Sequence, residues 1–398
     1  MNRFLAFIAI ALLLLAGIHY YIWLRLVRDP QLPAPWNVIA SIVLATLGAS
    51  APAALFLGRG HPALRKALIW PAYVWLGTMF LLFTTLVVLD ALRLLLALAR
   101  AVGRPVAAVD AGRRTFLARV YAGVAAVTAL GTAGTAVRLA LGPVDVRRLR
   151  VPLRRLPKSH DGLAIVQLTD LHVGPTIGRS FVETIVRTTN ALAPDIVALT
   201  GDLVDGSVQE LSEAIAPLAQ LRARYGVFFV TGNHEYYSGA EEWMNELTRI
   251  GIRVLRNERV SIGGGQGQGQ GDDSFDLAGI DDRSAAQHGG PTPAEALARA
   301  LGGRDQSREL VLLAHQPRSL RDAAPYAVGL QLSGHTHGGQ LWPFSLIVRL
   351  TQPFLAGLHR VGDSQIYVSR GTGYWGPPMR LRAPAEITHI VLESAPVA

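Results

Sequence analysis

The chain has 398 residues, half of them hydrophobic, a formal net charge of +9 and no cysteine. Its length accommodates two or three domains and its apolar content excludes a disordered chain. The missing thiols exclude disulfides and thiolate metal sites, so any metal must be held by His, Asp, Asn or Glu. The positive charge is no sign of nucleic acid, because many arginines flank apolar runs, where lipid head groups and topology account for them.

The predicted elements begin with four apolar segments. FLAFIAIALLLLAGIHYYIWLRLV, Phe4 to Val27, and WNVIASIVLATLGASAPAALFLG, Trp36 to Gly58, each exceed the roughly 20 residues a helix needs to cross a bilayer. A third run covers 69–99 and carries Asp90 and Arg93 near one end; a fourth, 115–141, is rich in Ala, Gly and Thr and is interrupted by Arg119 and Arg138. Trp23, Trp36, Trp70 and Trp75 near the ends fit an interfacial aromatic belt. Asp90 is expected at an interface, snorkelling beside Arg93 and Arg100.

Basic residues give conflicting orientations. With the N-terminus outside, Arg25, Arg28, Arg100, Arg104, Arg113 and Arg114 are cytoplasmic, against Arg3, Arg59, Arg65 and Lys66 outside. The basic flank from Arg147 to Lys158 would then be exported, which the rule disfavours. The string GRRTFLARVYAG, from Gly112, looks like an internal twin-arginine export signal, or is simply a positively flanked helix. Both readings keep Arg113 and Arg114 cytoplasmic and put the rest of the chain outside the membrane.

A basic linker is expected over 142–160, followed by a second domain over 161–398. LAIVQL, DIVAL, GVFFV, RVLRN, FDLAGI, ELVLLA, VGLQL, QIYVS and ITHIVL are short, rich in β-branched and aromatic residues, and bounded by turn formers, as buried strands are. Helical patterns at 179–193, 208–224, 241–250 and 292–301 alternate with them, which predicts an α/β domain. The glycine-rich stretch 263–274 reads as a lengthened hairpin loop.

Polar residues collect where these strands end: Asp170 and His172, Asp202 and Asp205, Asn233, His234 and Glu235, His315, and His335 and His337. Strand ends of an α/β sheet share one rim, so these five loops should converge although they lie far apart in sequence. In an extended D-x-H or H-x-H, residues i and i+2 project in the same sense and reach one cation or a close pair. Five of the eleven histidines fall in these loops. Asp, Asn and His suit Mn, Fe, Zn or Mg, and a carboxylate such as Asp202 can bridge two cations.

In this order, Asp170-x-His172, Gly201-Asp202-x-x-Asp205, Gly232-Asn233-His234-Glu235, His315 and Gly334-His335-x-His337 resemble the calcineurin-like metallophosphoesterase superfamily. The strings GHTHGGQ, AGIDD and SRGTGYWGPPMRLRAPAEITHIVL resemble its bacterial membrane-associated branch. The resemblance covers about 163–392 and implies a four-layer α/β/β/α sandwich with two divalent cations. It implies that Asp170, His172 and His337 hold one, Asn233, His315 and His335 the other, and that Asp202 bridges them. Such a pair generates hydroxide from bound water for in-line attack on phosphorus. His234 is expected to face the substrate, with Asp205 orienting its imidazole, and Glu235 to be structural.

The expected activity is hydrolysis of a phosphodiester or pyrophosphate, with a lipid-linked ester suggested by the anchor, in a bacterial inner-membrane protein whose catalytic domain is extracytoplasmic. The alternatives are a cytoplasmic-facing nucleotide-sugar lipid pyrophosphohydrolase and a catalytically silent metal-binding sensor. Arg370, Arg380, Tyr374, Trp375, Asp281 and Asp282 carry structural expectations and stay outside the candidate site.

Overall fold

The computed structural model describes residues 2–56, 62–101, 110–263 and 273–395. Two compact units are present: Met1–Leu141 with Gly376–Met379, and Gly142–Trp375 with Arg380–Ala398.

The first unit is helical. It contains α1 (Asn2–Trp23), α2 (Trp36–Phe56), α3 (Pro62–Ala101) and α4 (Ala111–Leu141). All four are long and apolar enough to cross a membrane. Their outward surfaces carry Leu13, Leu14, Ile42, Leu95, Val127 and Leu130, as a lipid-facing bundle requires. Ile22, Met79, Leu82, Leu86, Ala125 and Ala129 form the inner cluster. The buried stripe of α4 is entirely alanine, at 125, 129, 133, 136 and 140, and such small side chains let a neighbouring backbone approach closely.

Asp90 does not rely on Arg93. Its nearest cation is Arg25, in the turn that follows α1, at 2.8 Å, with Arg93 at 3.8 Å, and it also accepts hydrogen bonds from Tyr21 at 2.6 Å and Tyr121 at 2.9 Å. Partners on three helices satisfy one carboxylate, a pairing that local spacing along α3 does not reveal. The side chain of Arg100 lies outside the described residues.

The second unit is built in chain order from β1 (Asp145–Leu153), β2 (Ala164–Leu168), α5 (Arg179–Ala191), β3 (Ile196–Thr200), α6 (Val208–Ile215) and β4 (Val227–Val230). It continues with α7 (Asn233–Ser238), α8 (Ala240–Arg249), β5 (Arg253–Val254), β6 (Glu258–Gly263), β7 (Ser274–Gly279) and α9 (Pro293–Leu301). It ends with β8 (Leu310–Leu313), α10 (Ser319–Ala323), β9 (Leu330–Ser333), α11 (Phe344–Thr351), β10 (Gly357–Val361), β11 (Ser364–Val368) and β12 (Glu386–Ser394). The strands form two six-stranded sheets, ordered β1-β12-β2-β3-β4-β5 and β10-β11-β9-β8-β7-β6.

Alternation within the strands explains the layering. Ile165, Ile196, Ala198, Phe228 and Val230 of one sheet meet Phe275, Leu277, Val311, Leu313, Leu330 and Leu332 of the other in a single core. The opposite faces are also apolar. Val166, Leu168, Val197, Leu199 and Phe229 are buried on the first sheet, where α5, α6 and α8 supply Val182, Ile185, Ile215, Trp243 and Leu247. On the second sheet, Ala278, Ile280, Leu310 and Leu312 pack with Ala296, Leu297, Ala300 and Leu301 of α9. The result is a four-layer α/β/β/α sandwich, with mixed strand directions set by the parallel β2-β3-β4 and β7-β8-β9 runs.

The segment 142–160 contributes structure of its own. Its β1 runs parallel to β12 over nine residues, with Val151 and Leu153 turned into the core while the arginines stay outward. The strands flanking the glycine-rich stretch pair antiparallel, Ile262 opposite Phe275; most of the stretch itself lies outside the described residues.

Candidate metal centre

The ends of β2, β3, β4, β8 and β9 bring their loops to one rim, where the carboxyl ends of parallel strands leave room for a site. Asp170 and His172 follow β2, Asp202 and Asp205 follow β3, Asn233 and His234 open α7 after β4, His315 follows β8, and His335 and His337 follow β9. Side-chain ligand atoms of Asp170, His172 and His337 converge within 4.8 Å, as do those of Asp202, His315 and His335, and those of His172, Asp205 and His234.

The local geometry differs from the extended D-x-H and H-x-H expected from spacing. Asp170, His172, Asp202, His335 and His337 all hold φ between 49° and 70°, the left-handed region that non-glycine residues rarely enter. Hydrogen bonds enforce it. The His335 N–H donates to Asp170 Oδ1 at 3.0 Å, the His234 N–H to Asp202 Oδ1 at 2.8 Å, and the His172 N–H to the Asp202 carbonyl at 3.1 Å. Gly334 leaves room for this folding-back, since a Cβ there would press into the Asp170 carboxylate and the Thr169 hydroxyl.

His315 and His172 each have one ring nitrogen committed, which turns the other toward the cluster. His315 Nδ1 donates to the Thr200 carbonyl at 2.7 Å, and His172 Nδ1 lies 3.1 Å from Asp205 Oδ1. His172 Nε2 then faces His337 Nε2 at 3.0 Å, and His315 Nε2 lies 3.1 Å from Asp202 Oδ2. Asp202 Oδ2 is also 3.9 Å from His172 Nε2, so this carboxylate stands between the two groups. Among the described residues, Asn233 Oδ1 is buried without a hydrogen-bond partner. Buried lone pairs that face one another, together with an orphaned acceptor, carry a large desolvation cost unless a cation satisfies them, so the donor set fits divalent metal.

The protonation of these groups follows from crowding. Burial opposes ionisation of Asp202, but His315, His234 and His172 hold its carboxyl well below the usual carboxylate range. Burial also opposes charge on His172, yet Asp205, Asp202 and Asp170 lift its pKa to about 9. Burial, reinforced by His315, pushes His335 down to about 3. Against its own burial, Asp205 is held low by His172 and His234.

His234 sits beside this cluster with its Nδ1 2.6 Å from Asp205 Oδ1, so one carboxylate serves both His172 and His234. Tyr237 and Trp375 stand edge-on to the His234 ring, at 5.3 and 5.7 Å between centroids, and both are exposed. Sequence reasoning missed Tyr237. Its spacing of three from His234, on a helix, was the available signal. Gln340 fixes Trp375 by accepting from its N–H and donating to its carbonyl, each at 2.9 Å.

The neighbouring candidates are structural. Glu235 is fully buried and accepts backbone N–H groups of Asp202, Leu203 and Gly232 at 3.0, 2.7 and 2.6 Å. Burial and the Asp202 charge raise its pKa to about 7. Arg380 is fully buried, donating to the carbonyls of Gly373 and Ala383, and burial pushes its guanidinium down to about 10. Arg370 pairs with Glu386, Tyr374 donates to the Thr176 carbonyl, Asp281 accepts from Asn257, and Asp282 accepts from Ser284 and Gln316.

Comparison with known proteins meets this geometry. The calcineurin-like phosphoesterase profile matches residues 163–339. A Bos taurus protein described as "Transmembrane protein with metallophosphoesterase domain" is 38% identical over 91% of this chain and 81% of its own length. The chain belongs to the calcineurin-like metallophosphoesterases. A Danio rerio metallophosphoesterase of the same description is 36% identical over 99% of this chain and 90% of its own length. An uncharacterized metallophosphoesterase of Helicobacter pylori is 41% identical over 60% of this chain and 61% of its own. As a metallophosphoesterase, the chain is a metal-dependent phosphoric ester hydrolase using divalent cations, and its four apolar helices make it a membrane protein.

Proposed function

We propose that this metallophosphoesterase is a membrane-anchored, binuclear-metal phosphohydrolase that cleaves a phosphodiester or pyrophosphate, with a lipid-linked ester as substrate. The helices of residues 1–141 form the anchor and 161–398 the catalytic domain. The observation that carries this reading is Asp202, whose Oδ2 stands between the His172 and His315 ring nitrogens while the ligand atoms on either side converge. Asp170, His172 and His337 would hold one cation, Asn233, His315 and His335 the other, and Asp202 both. When bound, such cations supply Lewis acidity toward phosphoryl oxygen and an activated water.

The chain's own residues do the rest. Asp205 accepts the Nδ1 proton of His234, which turns Nε2 toward the substrate to protonate the departing oxygen. The same carboxylate stabilises the imidazolium before the proton leaves. Trp375 and Tyr237 border that imidazole and restrict water on the leaving-group side. An intact acid beside a full donor set favours hydrolysis over a silent sensor.

The catalytic domain is proposed to lie outside the cytoplasm of a bacterial inner membrane. A reporter joined to the C-terminus that is active only in the cytoplasm would reverse that assignment. The chemistry is tested with detergent-purified protein on bis(p-nitrophenyl) phosphate, with Mn²⁺ or chelator, beside His234→Ala and Asp202→Asn. Metal-dependent turnover lost in both variants supports the reading; metal-loaded, folded wild type without turnover on diester or lipid-linked ester overturns it.

A further inference from the structure

Helix α11 follows the His335–His337 loop and is built wrongly for a helix in water. None of its residues is buried, and Leu346, Ile347 and Leu350 point outward, Leu350 at 86% exposure. Trp342 and Phe344, just before and at its start, are exposed as well. Scattered exposed apolar side chains are ordinary, but five large ones within nine residues form a contiguous patch, which soluble surfaces avoid unless it binds something.

The ground beside the patch is cationic. A cleft of about 760 Å³ opens at the C-terminal end of α11 and is lined by Arg283, Arg318, Arg321 and Arg349 together with Leu350. The one acid among its lining residues, Asp322, pairs with Arg283. At the other end of α11, Arg382 lies over the Trp342 ring, 5.9 Å from its centroid. Apolar side chains on one short amphipathic helix, flanked by an indole and guanidinium groups from the neighbouring segments, are the composition that settles at a membrane interface.

We infer that α11 and its arginine cleft form a docking surface for an anionic phospholipid bilayer. Leu346, Ile347 and Leu350 enter the acyl boundary, and Arg318, Arg321 and Arg349 take head-group phosphates. Two observations select lipid as the occupant: the charge of the cleft, complementary to anionic head groups, and the four spanning helices of the same chain, which keep a bilayer within reach. The inference concerns a binding surface that includes none of the candidate metal ligands and stands whether or not the proposed substrate is correct.

The chain has no cysteine, so single labels are available without background. Full-length protein carrying Leu350→Cys or, as a water-exposed reference on α5, Thr184→Cys is labelled with a fluorophore and reconstituted into bilayers of phosphatidylcholine with or without phosphatidylglycerol. Iodide should quench the Leu350 label roughly tenfold less than the Thr184 label in phosphatidylglycerol bilayers, and acyl-brominated lipid should quench only the former. Arg321→Glu with Arg349→Glu should abolish that protection, while an unchanged denaturant-unfolding midpoint reports that the protein is still folded. Equal iodide quenching of both labels overturns the inference. Protection that needs an added protein instead of anionic lipid overturns it in favour of a protein partner.

Discussion

Asp205→Asn separates the two duties that one carboxylate performs. Asp205 Oδ1 lies 2.6 Å from His234 Nδ1 and 3.1 Å from His172 Nδ1, both charge-assisted contacts. The amide is nearly isosteric, but its NH₂ group can donate to an imidazole and favour the wrong tautomer. For His234 the loss is that of a positioned general acid, about 10²–10⁴ in kcat. For His172, on the proposed assignment, it is the loss of an outer partner of a metal-holding imidazole, about 10–100-fold in metal affinity. The two effects separate in a titration of turnover against Mn²⁺, which should show a shifted midpoint and a plateau that stays low at saturating metal. A plateau within about twofold of wild type would refute the role given to Asp205, because general acid catalysis would then not depend on it.

Other outcomes follow from the same contacts. A proton and a cation compete for His172 Nε2, and because the surrounding carboxylates lift this pKa to about 9, metal affinity should rise by up to about tenfold per pH unit between pH 6 and 9. Equilibrium dialysis across that range checks it, and a flat profile would contradict it. Gly334→Ala forces a Cβ into the Asp170 carboxylate and Thr169 hydroxyl, so metal retention and turnover should fall, with about 1–3 kcal/mol lost in denaturant unfolding. Glu235→Gln leaves one side-chain acceptor for three backbone N–H groups and should cost about 1–3 kcal/mol, read as a lowered unfolding midpoint.

Much of this molecule was readable from local pattern. Long apolar runs announced the four helices, and β-branched segments ending in Asp, Asn or His announced β2, β3, β4, β8 and β9, because burial and the strand period leave direct marks on sequence. Features set by distant partners were not readable. β1 hides among arginines and is specified by its parallel neighbour β12, 241 residues later in the chain, as in the Asp145–Glu386 pair. Asp90 finds Arg25 across the bundle, where α3 alone points to Arg93. The ligand spacing was visible, yet its backbone was not. Left-handed φ at Asp170 and Asp202 accompanies N–H groups supplied to their carboxylates from other loops, which no local propensity encodes. α11 escaped notice because none of its residues is buried, so no core-facing pattern marks it.

The most direct test of the account is metal content measured together with turnover. Purified full-length protein, its Asp202→Asn variant and a chelated sample would be analysed by mass spectrometry of bound metal and by phosphodiester hydrolysis. The account predicts about two equivalents of divalent metal in active wild type, and fewer in Asp202→Asn with turnover lost in step. Full turnover with a single equivalent, or an active Asp202→Asn protein, would contradict the binuclear centre.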